Sequence, residues 1–557
     1  MQEQYSTYHS ENLVFIGAGS TSSLGIPTTS TQSKFFRKLA EAKNEQELSN
    51  LLTNYFLEPD LSKIIAFLKI LEVSDSIFNI SNSDIKNASH IFNNKKEDLL
   101  KKRIIELRLE YDWNAAKKII KICPEPLDSN NDNLIFDLYS IIDNKLLTKQ
   151  SLNPNIDEST LPLTRLNGAR NFLILLTNML ISSAWFKITI GEKEAEFEKY
   201  KNFIIAFDHL MLKEGFTNNS VKNYKKESRD FYLFSTSFVS FNFDMVFPWI
   251  FMNSHYTLNH NPVYIQNHPL KLWLDYNVEH RGRKINNNNK IIPTLEFTES
   301  VASRENEDDH IGTPINRAGK FYFAHGSANW RECPACGRLT FYFGTSEKKW
   351  NFKSSELIPP FPIPLFKSEQ NIHRTEKEYE WQAILHNDSL QCMHCGQETK
   401  TNDSPMIMQT IYKSTPTSFL EEIQRNVKIE LKKASHIILL GYSLPKDDVI
   451  WYHTFSEAVR SRINSNKEAF CTIVIGYKGK NCYLYGDELL KYIKSSPKDD
   501  EAFGINAIIN CISIFGLSKV RAWTGGIPQV FGKCTEADVK ELFYPNFEQW
   551  KNFTLPS

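Results

Sequence analysis

Nine cysteines are spread through the 557-residue chain, and four of them form two pairs of one design. Cys333-Pro334-Ala335-Cys336-Gly337 and Cys392-Met393-His394-Cys395-Gly396 are both C-x-x-C-G strings. Such a knuckle aims two thiolates at one point, and the trailing glycine lets the chain turn. Two knuckles complete a four-thiolate tetrahedron, the pattern of a structural zinc with no position open to substrate. A redox dithiol is the other chemistry a C-x-x-C offers; two glycine-followed pairs favour the metal. The 55 residues between Cys336 and Cys392 exceed the roughly 15–20 of a compact ribbon, so the module carries an insertion. The other five cysteines read as buried side chains, and His394 as a spectator.

Gly17-Ala18-Gly19-Ser20-Thr21-Ser22-Ser23-Leu24-Gly25-Ile26-Pro27 has the chemistry of a phosphate-cradling loop. Glycines let backbone approach a diphosphate, and a helix start beyond them offers free N–H groups. Hydroxyls at Ser20 to Ser23 add donors. The dinucleotide fingerprint G-x-G-x-x-G is not met, because Ser22 stands at its third glycine. A tight strand-to-helix turn accounts for Gly17 and Gly19 alone. A second small-residue turn, Gly441-Tyr442-Ser443-Leu444-Pro445, is followed by Asp447-Asp448. Trp523 to Pro528 is a further loop.

Asn242 and Asp244, in Phe241-Asn242-Phe243-Asp244, follow an apolar run and fall at the carboxyl end of a strand, where open α/β sheets bind ligands. An Asx turn leaving a strand is the commoner cause of such residues. His325 ends the run Phe321 to Ala324 and lies eight residues before Cys333. Imidazole, with an ordinary pKa of about 6.5, accepts a proton near neutral pH.

These residues need strands to carry them. Leu13–Ile16, Phe231–Asn242, Phe321–Ala324, His436–Leu440 and Cys471–Tyr477 read as strands, with helices over Val449–Ile463 and Leu489–Ile493. Alternation of strands and helices predicts an α/β fold with a doubly wound, Rossmann-like parallel sheet. From about Ser33 to Asn219 apolar residues recur at three and four, as in Leu61, Ile64, Ile65, Leu68 and in Leu100, Ile104, Leu107. That block, residues 35–225, reads as a large all-helical insertion. Phe172 to Phe186 is its most apolar run and is read as a buried helix, short of the ~20 residues of a bilayer span.

Taken in order, the motifs resemble the sirtuin family. The Gly17 loop through Gly25-Ile26-Pro27 is similar to its NAD-binding signature. Asn242 with Asp244 is similar to its nicotinamide-pocket motif, and His325-Gly326 precedes the first zinc cysteine as its catalytic His-Gly does. Gly441-Tyr442-Ser443 resembles the dinucleotide loop of the bacterial sirtuin-like branch. The resemblance implies an NAD-binding α/β domain over 1–34 and 226–557, with the zinc module within about 325–400. It implies Asn242 and His325 as catalytic residues. It implies Gly17, Ala18, Gly19, Ser20, Ser23, Gly25, Ile26, Pro27, Asp244, Gly441, Tyr442 and Ser443 as contacts of NAD, and Cys333, Cys336, Cys392 and Cys395 as zinc ligands. The Trp523 loop would close on the adenine end.

Family chemistry starts by breaking the nicotinamide–ribose bond. Deacylases carry an acidic residue, an aromatic and an arginine after the Gly-Ile-Pro; Thr28-Thr29-Ser30 stand there instead. Their aromatic-glycine-acidic peptide-binding strand has no equivalent after Gly396, where Pro405-Met406-Ile407-Met408 follows. The resemblance therefore implies an NAD glycohydrolase, similar to bacterial effectors that deplete NAD during phage infection. A protein-lysine deacylase and a non-catalytic NAD- or ADP-ribose-binding subunit are the alternatives. An effector of this kind is expected to be held off at rest through homo-oligomer contacts or a separate activating or sensor protein, such as an ATPase subunit.

Composition bounds the remaining classes. Lys plus Arg number 65 and Asp plus Glu 65, a net charge of zero, with 41% hydrophobic and 13% aromatic residues. A packed core of two to four domains of about 150 residues is expected, and wholesale disorder is excluded. Neutral balance argues against a nucleic-acid coat or a polybasic membrane binder. Met1 to Asn12 lacks the basic start and apolar stretch of a secretory signal, so a cytoplasmic location is expected.

Overall fold

A computed structural model describes residues 10–547 with interruptions, the longest at 218–233, 298–314 and 342–389; residues 392–396 and 445–447 also lie outside the described set. Strand β1 (Asn12–Ile16) is buried at every position, as a central parallel strand covered on both faces must be. It lies between β2 (Thr236–Ser240) and β11 (His436–Leu440), parallel to both. Between β1 and β2 run nine α-helices among the described residues: α1 (Thr29–Glu41), α2 (Glu45–Thr53), α3 (Glu58–Leu71), α4 (Asn82–Phe92), α5 (Glu97–Glu110), α6 (Trp113–Ile122), α7 (Leu134–Leu147), α8 (Leu163–Thr189) and α9 (Glu194–Thr217).

After β2 come α10 (Val246–Asn259), β3 (Lys271–Asp275), the antiparallel pair β4 (Glu279–Ile285) and β5 (Ile291–Phe297), and β6 (Ile315–Phe323). Two short antiparallel pairs follow, β7 (Trp330–Glu332) with β8 (Leu339–Phe341) and β9 (Leu390–Gln391) with β10 (Glu398–Thr399). Then come α11 (Ser418–Leu431), β11, α12 (Val449–Ile463), β12 (Phe470–Val474), β13 (Tyr483–Tyr485), β14 (Val520–Trp523) and helices at Gly486–Ser495, Ile505–Phe515 and Glu536–Phe543. One eight-stranded sheet has the order β13-β14-β12-β11-β1-β2-β6-β3, and only β13 runs antiparallel to its neighbour.

Both faces of this sheet are covered. Val14 pairs with Phe238 in register and so shares its face; there Phe207 of α9 and Phe251 of α10 pack on Phe238 at 5.4 and 4.7 Å. Phe15, one residue on, points to the opposite face and meets Phe455 of α12 at 4.7 Å. The mixed α/β architecture is the expected one, and its sheet is compatible with a Rossmann-like arrangement. Strand bounds moved slightly: β2 begins at Thr236, and β6 starts earlier, at Ile315.

The helical block splits between two cores. From Phe35 to Leu180 its side chains bury against one another; from Ala184 to Leu212 they belong to the core of the sheet. The dividing point lies inside the continuous helix α8, so the block is tied to the sheet by a rigid rod. Phe172 to Trp185 is buried as read, while no helix among the described residues is long and apolar enough to cross a membrane. Two cysteines depart from the expectation. Cys482 is exposed and Cys534 half-buried; Cys482 leads into β13, an edge strand of the sheet.

Candidate active site

Four strands end level with one another. Ile16 is in register with Leu440 and with Ser240, and Ser240 with Phe323. The ladder runs one residue further: Gly17 N donates to Leu440 O at 2.9 Å, Phe241 N to Ile16 O at 2.9 Å, and Ala324 N to Ser240 O at 3.0 Å. Register alone therefore places the Gly17, Asn242, His325 and Gly441 turns in one row at the carboxyl edge. The chain order reverses between β1 and β11, and at such a switch point the loops part and leave a crevice.

A cavity of about 130 Å³ fills that crevice. Gly17, Ala18, Ile26, Pro27, Asn242, Asp244, His325 and Tyr442, all expected site residues, line it together. Asn242 Nδ2 donates to Ser20 Oγ at 3.3 Å and Thr21 Oγ1 at 3.4 Å, which fixes the side chain. Its Oδ1 is buried without a hydrogen-bond partner among the described residues. A buried acceptor left open in this way normally costs about 1–3 kcal/mol, so it is an acceptor held ready for a donor from a ligand or water.

Asp244 accepts from Thr21 Oγ1 at 3.0 Å and from the backbone N–H of Val246 at 3.1 Å, at the start of α10. Burial pushes its carboxyl up to about 6, against the partial relief of those hydrogen bonds. A carboxyl in that range changes protonation close to neutral pH.

His325 is 7% exposed and its ring packs on Phe241 at 4.6 Å. Its carbonyl accepts from Ile407 N at 2.9 Å. Gly326, at φ +78°, is needed here: a Cβ would lie 1.9 Å from Pro405 O. Behind this turn the fully buried Arg331 donates from Nη1 to the carbonyls of Ala328 and Trp330 and to Ser404 Oγ. Arg331 and Ser404 thus lock the 404–408 segment onto the turn that carries His325.

The two glycine loops hold each other. Gly19 N donates to Gly441 O at 3.0 Å. A Cβ on Gly17 would meet Gly441 O at 2.5 Å, and one on Gly441 (φ +61°) would meet Ser20 N at 2.0 Å. These glycines are thereby explained by backbone-to-backbone packing, with no ligand required. The hydroxyl cluster is also internally committed. Ser20 faces Asn242, Thr21 faces Asp244, Ser22 donates to Gly19 O, and Ser23 bonds the Tyr200 hydroxyl of α9. Ser23, Ser20, Gly19, Gly25, Gly441 and Ser443 are not among the cavity's lining residues. The Trp523 loop bonds to Ile475 beyond β12 and also stays clear of it.

A whole wall of the cavity comes from residues that carry no motif. Gln32 of α1, Ile135 and Phe136 of α7, and Ile181 of α8 line the cavity, as do Ile407 and Met408. Gln32 Nε2 donates to Pro27 O at 3.1 Å, so α1 braces the loop that ends in Pro27. Asp448, which accepts from Tyr442 Oη at 3.0 Å, lines the opposite side; the Asp447-Asp448 pair after the second turn was its signal.

The first cysteine knuckle is the tip of the β7–β8 pair. Gly337, at φ +66°, donates to Cys333 O at 2.8 Å and closes the turn. Cys333 is buried and Cys336 exposed. Cys392 and Cys395 lie outside the described residues, where β9 and β10 flank them. Among the described residues no group of three or more metal-ligating side chains occurs; Cys333 and Cys336 are the two of the four expected ligands that are described. No protein-family model matches the chain, and no curated protein matches it.

Proposed function

We propose that the chain is an NAD glycohydrolase that cleaves NAD to nicotinamide and ADP-ribose. The observation that carries this reading is the convergence of Asn242, Asp244 and His325 with Gly17, Ala18 and Pro27 in one cavity at the switch point. In the reaction the bond from ribose to the nicotinamide nitrogen breaks, a bond from the same carbon to the water oxygen forms, and one proton is released. Asn242 Oδ1 accepts from the water or a ribose hydroxyl and orients it. His325 takes the released proton. Asp244 holds the Thr21 side of the pocket and, near its pKa, sets the charge beside the departing amide.

Hydrolysis is favoured over deacylation by the wall of Ile135, Phe136, Ile181, Ile407 and Met408. These apolar side chains help to line a cavity of about 130 Å³, which suits a water acceptor better than a peptide. Zinc held by Cys333, Cys336, Cys392 and Cys395 is part of the proposal as a structural ion that braces the segment following His325. Control by self-association or a partner protein is likewise proposed, through the helical block.

Product analysis tests the reaction class. Purified chain incubated with NAD and no peptide should yield nicotinamide and ADP-ribose one to one. Turnover that requires an acylated peptide and deacylates it stoichiometrically would replace hydrolysis with deacylation.

A further inference from the structure

The cavity at the switch point carries a second carboxylate in addition to that of Asp244. Asp448, half-buried, lines it together with Asn242, Asp244 and His325. Its backbone carbonyl accepts from Tyr452 N at 2.9 Å and so opens α12, and its Oδ2 accepts from Tyr442 Oη at 3.0 Å. One buried ring sets this position from both sides. Measured between ring centroids, Phe241 lies 4.5 Å from Tyr442, which holds the carboxylate, and 4.9 Å from Trp451, in the first turn of the same helix. The same ring packs on His325 at 4.6 Å. A shift of Asp448 relative to His325 therefore has to repack Phe241.

The charge of the lining is one-sided. Among the described residues, those that line the cavity include two aspartates and no lysine or arginine. Such a lining suits a cation better than a phosphate, and NAD carries its positive charge at the nicotinamide end. When the bond from ribose to the nicotinamide nitrogen breaks, its electron pair stays with the nitrogen. Nicotinamide leaves neutral, and the positive charge passes to the ribose carbon and the ring oxygen, as in glycoside hydrolysis generally. We propose that Asp448 is a catalytic residue that stabilises this charge, an inference that rests on the glycohydrolase reading. The water oxygen then bonds to the ribose carbon and His325 takes its proton, while Asp448 forms no bond. Ile135, Phe136, Ile407 and Met408 line the same cavity, so water screens less of the attraction than it would in the open.

Steady-state nicotinamide release by the full chain and two near-isosteric variants tests the assignment, with circular dichroism checking the fold. Asp448→Asn keeps an oxygen for the Tyr442 hydroxyl and loses the charge; Tyr442→Phe keeps the charge and loses the hydrogen bond. Asp448→Asn should lower kcat at least about 10²-fold with KM little changed, the mark of an interaction made in the transition state. Tyr442→Phe should lower kcat by less than about ten-fold, the scale of one hydrogen bond. Three results would overturn the assignment and leave hydrolysis standing. They are equal turnover by wild type and folded Asp448→Asn, a raised KM at unchanged kcat in that variant, and a loss in Tyr442→Phe as large as that in Asp448→Asn. The second would make Asp448 a ground-state contact of the ribose, and the third would make the pair a structural clasp. Absence of nicotinamide release by the wild type in every assembled state would remove hydrolysis itself, and this assignment with it.

Discussion

Thr21 donates its hydroxyl to Oδ2 of Asp244 at 3.0 Å, joining two residues 223 positions apart across the mouth of the sheet. The bond ties the first glycine loop to the end of β2 and keeps a buried carboxyl at the pocket. Asp244 has its carboxyl raised from an ordinary 3.8 to about 6. Between those values the native chain retains a proton that the unfolded chain has lost, so this group's contribution to stability falls as pH rises through that window. Two units correspond to about 3 kcal/mol. Urea unfolding of wild type and Asp244→Asn at a series of pH values should show the variant gaining on the wild type by up to about 3 kcal/mol from pH 4 to 7. A difference that stays flat across the series would contradict the assignment.

The glycine loops separate strain from collision. Gly25 and Gly441 both have positive φ, but a Cβ on Gly25 meets nothing within 4 Å, whereas one on Gly441 meets Ser20 N at 2.0 Å. Gly25→Ala should cost about 1–2 kcal/mol, the left-handed penalty alone. Gly441→Ala should cost at least about 2 kcal/mol more, because two backbones must part. Chemical denaturation of the two variants measures the gap; equal losses would refute the loop-to-loop contact.

Arg331 is a positioning residue for His325. Arg331→Met removes the donor shared by Ala328 O, Trp330 O and Ser404 Oγ and should destabilise by about 2–4 kcal/mol. In conditions where it stays folded, kcat for NAD should fall while KM changes little, since the variant leaves the cavity wall intact. A rise in KM with unchanged kcat would assign Arg331 to substrate binding instead.

The knuckle closed by Gly337 and Cys333 predicts one zinc per chain, measured by elemental analysis of the purified protein. Cys333→Ser should lose it, because a hydroxyl replaces one of four thiolates. Zinc retained at one equivalent in that variant would show that Cys333 is no ligand.

Much of the site was legible because parallel strands impose a rule: level strand ends put the residues after them in one row. Asn242, His325 and the two glycine turns could be placed from four apolar runs, each followed by a small or polar residue. What the glycines do there was not legible. Gly17 and Gly441 satisfy a phosphate-loop pattern and a loop-packing requirement equally well, and only the 2.5 and 2.0 Å clashes of an added Cβ separate them. Ser23 looked like a ligand donor until Tyr200 of α9 claimed its hydroxyl. The wall of Ile135, Phe136 and Ile181 left no mark, since three apolar residues on amphipathic helices look the same whether they face a core or a cavity.

The most direct test of the proposed activity is the release of free nicotinamide from NAD by the purified chain, alone and with any protein that co-purifies with it. Wild type should release nicotinamide continuously, and Asn242→Ala and His325→Ala should each lower the rate by about 10²-fold or more. Wild-type release no higher than that of the two variants in every assembled state would contradict the account.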